Sequence, residues 1–203
     1  MNYLAHTLLA AGDADLEVGG ILGDFVRGQP DPALPRGLRT GIRLHRAVDS
    51  YTDAHATVLA ARRLFDPPWR RYAGILLDVW FDHCLARNFE RWSSMPLEVF
   101  SERLRRRLEA RVALLPPGMR RFIAYMRAQD LPTAYADVTV IENVLKGIGS
   151  RLSRPNLIGH ALPELVVRDA ELTHCFDAFF PDLMAFAAAW RERHADGPEH
   201  RDL

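Results

Sequence analysis

Lysine is almost missing: of the 26 basic residues in this 203-residue chain, all but one are arginine. Cationic recognition therefore rests on planar forks that suit phosphate and carboxylate rather than on flexible point charges. Cysteine is nearly as scarce, with only Cys84 and Cys175, both in helix-like apolar sequence. Two such residues make no disulfide framework, and a reducing cytoplasm is the natural setting. Long apolar runs are absent, each broken by Asp or Arg, which leaves no transmembrane span. The opening Met1-Asn-Tyr-Leu-Ala-His6 lacks a basic region ahead of an apolar core and reads as mature structure rather than a leader. No stretch alternates with period two, so nothing announces a sheet, and no internal repeat or low-complexity tract is visible. Net charge is zero, but residues 61–121 carry 13 basic and 7 acidic side chains, the only basic third of the chain. No motif interleaves these cations with aromatics, so a nucleic-acid partner is not expected.

Apolar residues recur instead with a helical period. Helices are predicted over about 3–11, 16–27, 36–53, 56–65, 69–92, 96–114, 118–129, 134–152 and 161–193. They are punctuated by the Pro30, Pro32, Pro35 turn, by Asp66-Pro67-Pro68 and by Pro116-Pro117-Gly118. The fold class is a single all-α domain, a helical bundle over 1–193, with a polar, frayed tail over 194–203.

Within this apolar helical sequence lies a set of carboxylates and imidazoles: His6, Asp24, His45, Asp49, Asp53, Asp78, Asp82 and His83. Asp78 and Asp82 share one helix face inside Gly74-Ile-Leu-Leu-Asp78-Val-Trp-Phe-Asp82-His83, and His45 and Asp49 share another. Charged carboxylates in such surroundings are costly unless paired or bound to a cation. Four helices could each direct one or two of these groups inward, the way metal sites in bundles are built. Carboxylate and neutral imidazole suit Mn, Mg, Fe or Zn, and the absence of thiolate argues against a structural zinc. Such a cation would lower the pKa of a water and offset charge on a phosphoryl oxygen. Bland roles stand beside these: Asp53 as partner of a nearby arginine, His6 as a core histidine, His55 as a cap of the next helix. His160, His174, His194 and His200 lack acidic partners at helical spacing and read as outside the site.

The motifs resemble those of the bacterial acyl carrier protein phosphodiesterases. The resemblance runs in order through Met1-Asn-Tyr-Leu-Ala-His6, Gly20-Ile-Leu-Gly-Asp24-Phe-Val-Arg27-Gly28 and Gly41-Ile-Arg-Leu-His45-Arg46-Ala-Val-Asp49-Ser-Tyr-Thr-Asp53. It continues in Leu77-Asp78-Val-Trp-Phe-Asp82-His83 and in Ile141-Glu-Asn143-Val-Leu-Lys-Gly147-Ile-Gly-Ser-Arg151. It implies an HD-phosphohydrolase-like helical fold, with the central dipeptide here inverted to Asp82-His83. It further implies dependence on a divalent cation, typically Mn2+ with Mg2+ or Fe2+ as alternatives, and removal of the 4′-phosphopantetheine group from holo acyl carrier protein. Carried over to this sequence, His6, Asp24, His45, Asp82 and His83 become metal ligands, and Asp78 an acid/base or orienting group. Arg27 and Arg46 become phosphate binders, and Asp49 the group that orients His45. Gly23 and the stretch 54–72 are individual to this sequence and are expected to leave the ligands untouched.

Acyl carrier proteins are acidic, so Arg103, Arg105, Arg106, Arg107 and Arg111 on one predicted helix form the expected docking surface. The bland alternative is a solvated face balanced by Glu98, Glu102 and Glu109. Two other functions remain open at this stage: a hydrolase of a nucleotide or another small phosphodiester, and a carrier-binding module without turnover. Oligomeric state is not legible.

Overall fold

The computed structural model describes residues 3–195, and within them every regular element is helical. In chain order these are α1 Tyr3–Leu8, α2 Ala14–Leu22, α3 Arg36–Ala54, α4 Ala56–Arg63 and α5 Ala73–Arg87. They continue as α6 Leu97–Ala110, α7 Pro117–Ala128, α8 Val138–Arg151, α9 Leu162–Val167 and α10 Asp169–Ala195. Of the polar tail expected over 194–203, His194 and Ala195 instead close α10, and the rest lies outside the described residues. No helix among them is long and apolar enough to cross a membrane.

The helix starts follow ordinary capping chemistry. The Asp13 carboxylate accepts from the Asp15 and Leu16 N–H groups, both at 2.9 Å, and opens α2. Asp137 accepts from the Thr139 N–H at 2.8 Å and opens α8. His55 Nδ1 accepts from the Thr57 N–H at 3.3 Å, the capping role expected of it. Pro35 and Pro96 stand just before α3 and α6, and Pro117 begins α7, where a missing N–H costs nothing.

Helix α5 runs through the centre, with Leu76, Leu77, Trp80, Phe81 and Leu85 fully buried on successive faces. A helix apolar nearly all round must be covered on all sides, and α1, α4, α8 and α10 do so. From α10 come Phe176, Phe179, Phe180 and Leu183, each worth about 1.5–3 kcal/mol in area removed from water.

The tightest helix pair is α2 against α3. A methyl placed on Gly19 would lie 2.4 Å from the Leu38 carbonyl oxygen and 2.7 Å from Gly41 Cα. Only two facing glycines permit backbones this close, and the contact brings the segment after α2 onto the middle of α3.

Several predicted helices are shorter than their pattern, three of them informatively. The 16–27 stretch leaves the α form after Leu22 and tightens into a 3-10 turn over Gly23–Phe25. The long helix predicted from 69 starts at Ala73, after a 3-10 turn over Trp69–Tyr72 that follows the two prolines. The 161–193 stretch breaks at Arg168, whose guanidinium reaches the Leu64 carbonyl at 2.8 Å. No Gly or Pro marks that break, so it belongs to tertiary anchoring rather than local sequence.

Candidate active site

Helix α1 presents His6, the turn after α2 presents Asp24, and α3 presents His45 and Asp49. All four meet at one place. His6 Nε2 lies 3.2 Å from Asp49 Oδ1, and His45 Nε2 lies 3.2 Å from Asp49 Oδ2. The two rings stack with centroids 4.0 Å apart. Asp24 Oδ1 is 3.6 Å from His45 Nε2 at the solvent edge of the cluster. Asp49, expected only to orient His45, therefore bridges both imidazoles. His6, His45 and Asp49 can each offer a ligand atom, all within 4.8 Å of one another.

The electrostatics fit a cation better than a core. Burial pushes the His6 imidazole down to about 4, with the neighbouring His45 charge adding to the effect and Asp49 opposing it. Burial also works against a charged His45, but the Asp49 and Asp24 carboxylates and the Gly20 backbone outweigh it and raise its pKa. Burial pulls Asp49 upward, yet the two imidazoles hold its carboxyl far below the usual carboxylate range. Burial raises Asp24, and the charges of Asp49 and Asp78 add to the rise against His45. The result is a neutral imidazole, a second imidazole and a committed carboxylate facing one another, a donor set that fits a divalent first-row ion.

Asp82 and His83 are turned elsewhere. Neighbours on a helix point about 100° apart, and these two face different elements. Both Asp82 oxygens are occupied by the first turn of α1: the Leu4 N–H donates at 2.8 Å and the Ala5 N–H at 3.2 Å. Its carboxylate is a cap that holds the helix carrying His6. Burial pushes that carboxyl up to about 7, against the pull of the two N–H groups. His83 Nδ1 lies 2.7 Å from the Tyr135 carbonyl oxygen, and its ring leans on Trp80 at 4.7 Å. Asp78, half-buried on α5, is near enough for its charge to raise both Asp24 and Asp82.

The arginines are also redistributed. Arg46 donates to the Val26 carbonyl at 3.0 Å and so clamps the loop that follows Asp24. Arg27 is exposed on that loop, with no carboxylate partner among the described residues. Asp53 pairs with Arg62, the structural role weighed for it.

The docking helix departs most from expectation. Arg103 and Arg107 both bind Glu17 of α2, at 2.9 and 2.7 Å, and the Glu17 side chain is fully buried. Arg111 pairs with Asp15 at 2.6 Å. Arg105 is buried, donating to the Leu131 carbonyl at 2.9 Å and pairing with Asp130 at 2.8 Å. Arg106 alone points outward, and it too meets Glu102 at 2.8 Å. The α6 arginines tie helices together rather than forming a free cationic stripe. Glu102 on α6 itself, one of the balancing acids named from the sequence, meets Arg105 and Arg106, whereas the acids that meet Arg103, Arg107 and Arg111, and a second partner of Arg105, lie on α2 and in the α7–α8 connection, far away in the chain.

Gly23, expected to leave the ligands untouched, instead lies directly against one of them. A methyl on Gly23 would fall 2.5 Å from the His45 ring, so this glycine is what lets the imidazole lie against the turn carrying Asp24. The Gly19-Gly20…Gly23 spacing was the available signal.

An all-helical chain that gathers two imidazoles and two carboxylates at the meeting point of three segments has the make-up of a helical hydrolase. The chain belongs to the acyl carrier protein phosphodiesterase family, whose pattern it matches over residues 1–183. It is an enzyme of that family. A protein of Photorhabdus laumondii named acyl carrier protein phosphodiesterase is 34% identical over 186 residues, covering 91% of this chain and 93% of the relative. A protein of the same name from Escherichia coli O157:H7 is 35% identical over 192 residues, covering 93% and 98%. No solved structure matches the chain.

Proposed function

We propose that this enzyme hydrolyses the phosphodiester joining 4′-phosphopantetheine to the serine of holo acyl carrier protein, with a divalent cation at the His6–His45–Asp49 cluster. The observation that carries the reading is the pair of 3.2 Å approaches of two imidazoles to one carboxylate. His6, His45 and Asp49 would hold the ion, with Asp24 beside them as a further oxygen donor, and Mn2+ is the ion we favour. When bound, it supplies Lewis acidity toward the phosphoryl group and toward a water. The chain's own residues supply the rest. Asp82 fixes α1, and with it the ring of His6. Arg46 fixes the loop behind Asp24, and Arg27 on that loop is positioned to fork onto phosphate oxygens. Asp78 on α5, close enough for its charge to be felt at Asp24, is the acid/base or orienting group of this reading. The fold is read as HD-phosphohydrolase-like with an inverted central dipeptide, and the two free cysteines fit a cytoplasmic enzyme.

Equilibrium dialysis of the purified protein against Mn2+ tests the site directly. The wild type should retain about one ion per chain at low micromolar Mn2+, and the His6→Ala/His45→Ala double variant none. Equal retention by both would remove the cluster from the account.

A further inference from the structure

Met184, Ala188 and Arg191 stand at i, i+4 and i+7 and so share one face of α10. A cleft of about 390 Å³ lies between that face, the end of α1 at Leu8, and the start of α6 at Phe100 and Arg103. It falls within the usual size of small-molecule sites, about 300–1,000 Å³. None of His6, Asp24, His45 and Asp49 lines it, so it is separate from the histidine cluster.

The walls are mostly apolar, and the cationic groups set into them outnumber their acids. No Asp or Glu lines the cleft. Arg103 meets Glu17 at 2.9 Å, but Arg107 holds the same carboxylate at 2.7 Å. Arg191 is half-buried and donates to the Leu9 carbonyl, and no carboxylate pairs with it among the described residues. Burial pulls its pKa down, with only the charge of Glu192 opposing, as expected of a cation short of a counter-charge. Three guanidiniums therefore have one buried carboxylate between them. The buried N–H groups at Trp92 Nε1 and Arg103 Nε likewise find no acceptor among the described residues. The surplus at this cleft is thus in donors.

The complement of surplus donors is a group that only accepts. An ionised carboxylate is such a group, and its plane matches a guanidinium fork. A bare anion would leave the apolar walls at Leu8, Phe100, Met184 and Ala188 uncovered, and a bare alkyl chain would leave Arg191 without its counter-charge. At about 30 Å³ for each non-hydrogen atom of a liquid, the space holds about a dozen such atoms.

We propose that this cleft is a second binding site, for a small amphipathic carboxylate. The head lies at the Arg191 and Arg103 guanidiniums, and the chain lies along Phe100, Met184 and Ala188. An unbranched carboxylate such as decanoate has the required size and both chemical halves.

Isothermal titration calorimetry of the full chain with decanoate, in low-salt buffer with chelator present, tests the site apart from turnover. The wild type should bind with a Kd of about 1 mM or tighter. Val167→Ser, on exposed α9 outside the cleft, should match it. Arg191→Gln removes the charge and Ala188→Phe fills the space, and each should weaken binding about tenfold or more. Decanol and acetate, each carrying one half of the chemistry, should bind the wild type at least about tenfold more weakly than decanoate. Arg191 also holds the Leu9 carbonyl, so if Arg191→Gln melts early, Ala188→Phe and the two half-ligands decide. Absence of wild-type binding at millimolar decanoate, equal binding by the folded variants, or decanol or acetate binding as tightly as decanoate overturns the assignment.

Discussion

Replacing Gly19 with alanine should loosen the helix pair that assembles the site. The added Cβ would lie 2.4 Å from the Leu38 oxygen and 2.7 Å from Gly41 Cα. Comfortable carbon contacts lie near 3.5–4.0 Å, so α2 and α3 must part by roughly 1 Å. Both clashing atoms are backbone, so no side chain can swing aside. Overpacking of this kind costs about 1–3 kcal/mol and more when the backbone must move, against about 1 kcal/mol gained from replacing a helical glycine. The net loss is up to about 2 kcal/mol, and about 1–3 kcal/mol relative to a helical glycine replaced without a clash. For a chain of this size that relative loss is a difference in Tm of about 2–12 °C, at about 2–4 °C per kcal/mol. Gly20→Ala is the control, because its Cβ would meet nothing closer than the His6 carbonyl oxygen at 3.5 Å, an ordinary contact. Differential scanning calorimetry of both variants should show Gly19→Ala destabilised and Gly20→Ala at or above wild type. Turnover of Gly19→Ala should also fall, since Asp24 and His45 ride on the two parted segments. Equal Tm for the two variants would refute the close-approach reasoning.

Asp49→Asn keeps the shape but removes the charge that both imidazoles face, so turnover should drop by about 10²-fold or more with little change in Tm; steady-state hydrolysis within a few-fold of wild type would contradict its bridging role. Glu17→Gln leaves Arg103 and Arg107 without their buried counter-charge, and urea unfolding should report a loss of about 3 kcal/mol; an unchanged midpoint would mean that α6 is held by its apolar face alone. Burial pushes the Cys84 thiol up to about 11, so thiolate is in place only as pH rises toward that value and amounts to about 10⁻³ of the side chain at pH 8. Native protein treated with iodoacetamide at pH 8 should therefore carry label at half-buried Cys175 first; peptide mapping that finds Cys84 labelled faster would overturn this.

The helical class, the breakers and most helix starts were legible because period, proline position and capping residues are local signals. Within the site, His45 with Asp49 was legible for the same reason: both lie on one helix at i,i+4. Their union with His6 and Asp24 followed from the four groups' improbability in apolar sequence and from the family resemblance, which named His6, Asp24 and His45 together. Asp82 raised the same signal and meant something different, since a buried carboxylate can be answered by backbone N–H groups as well as by a cation. Its partners, Leu4 and Ala5, lie 78 and 77 residues away, and no periodicity reports them. The α6 arginines show the same limit: their number suggested an acidic visitor, and in the fold each meets an acid of the same chain, Glu102 on the helix itself and Glu17, Asp15 and Asp130 from elsewhere.

Intact-mass spectrometry of holo acyl carrier protein incubated with the purified enzyme, with Mn2+ or with EDTA, tests the central claim most directly. The account predicts conversion to the apo mass with release of 4′-phosphopantetheine in the presence of Mn2+, and none with EDTA or with Asp49→Asn. Holo carrier left unchanged by folded enzyme that has bound Mn2+, or conversion that proceeds equally in EDTA, would contradict it.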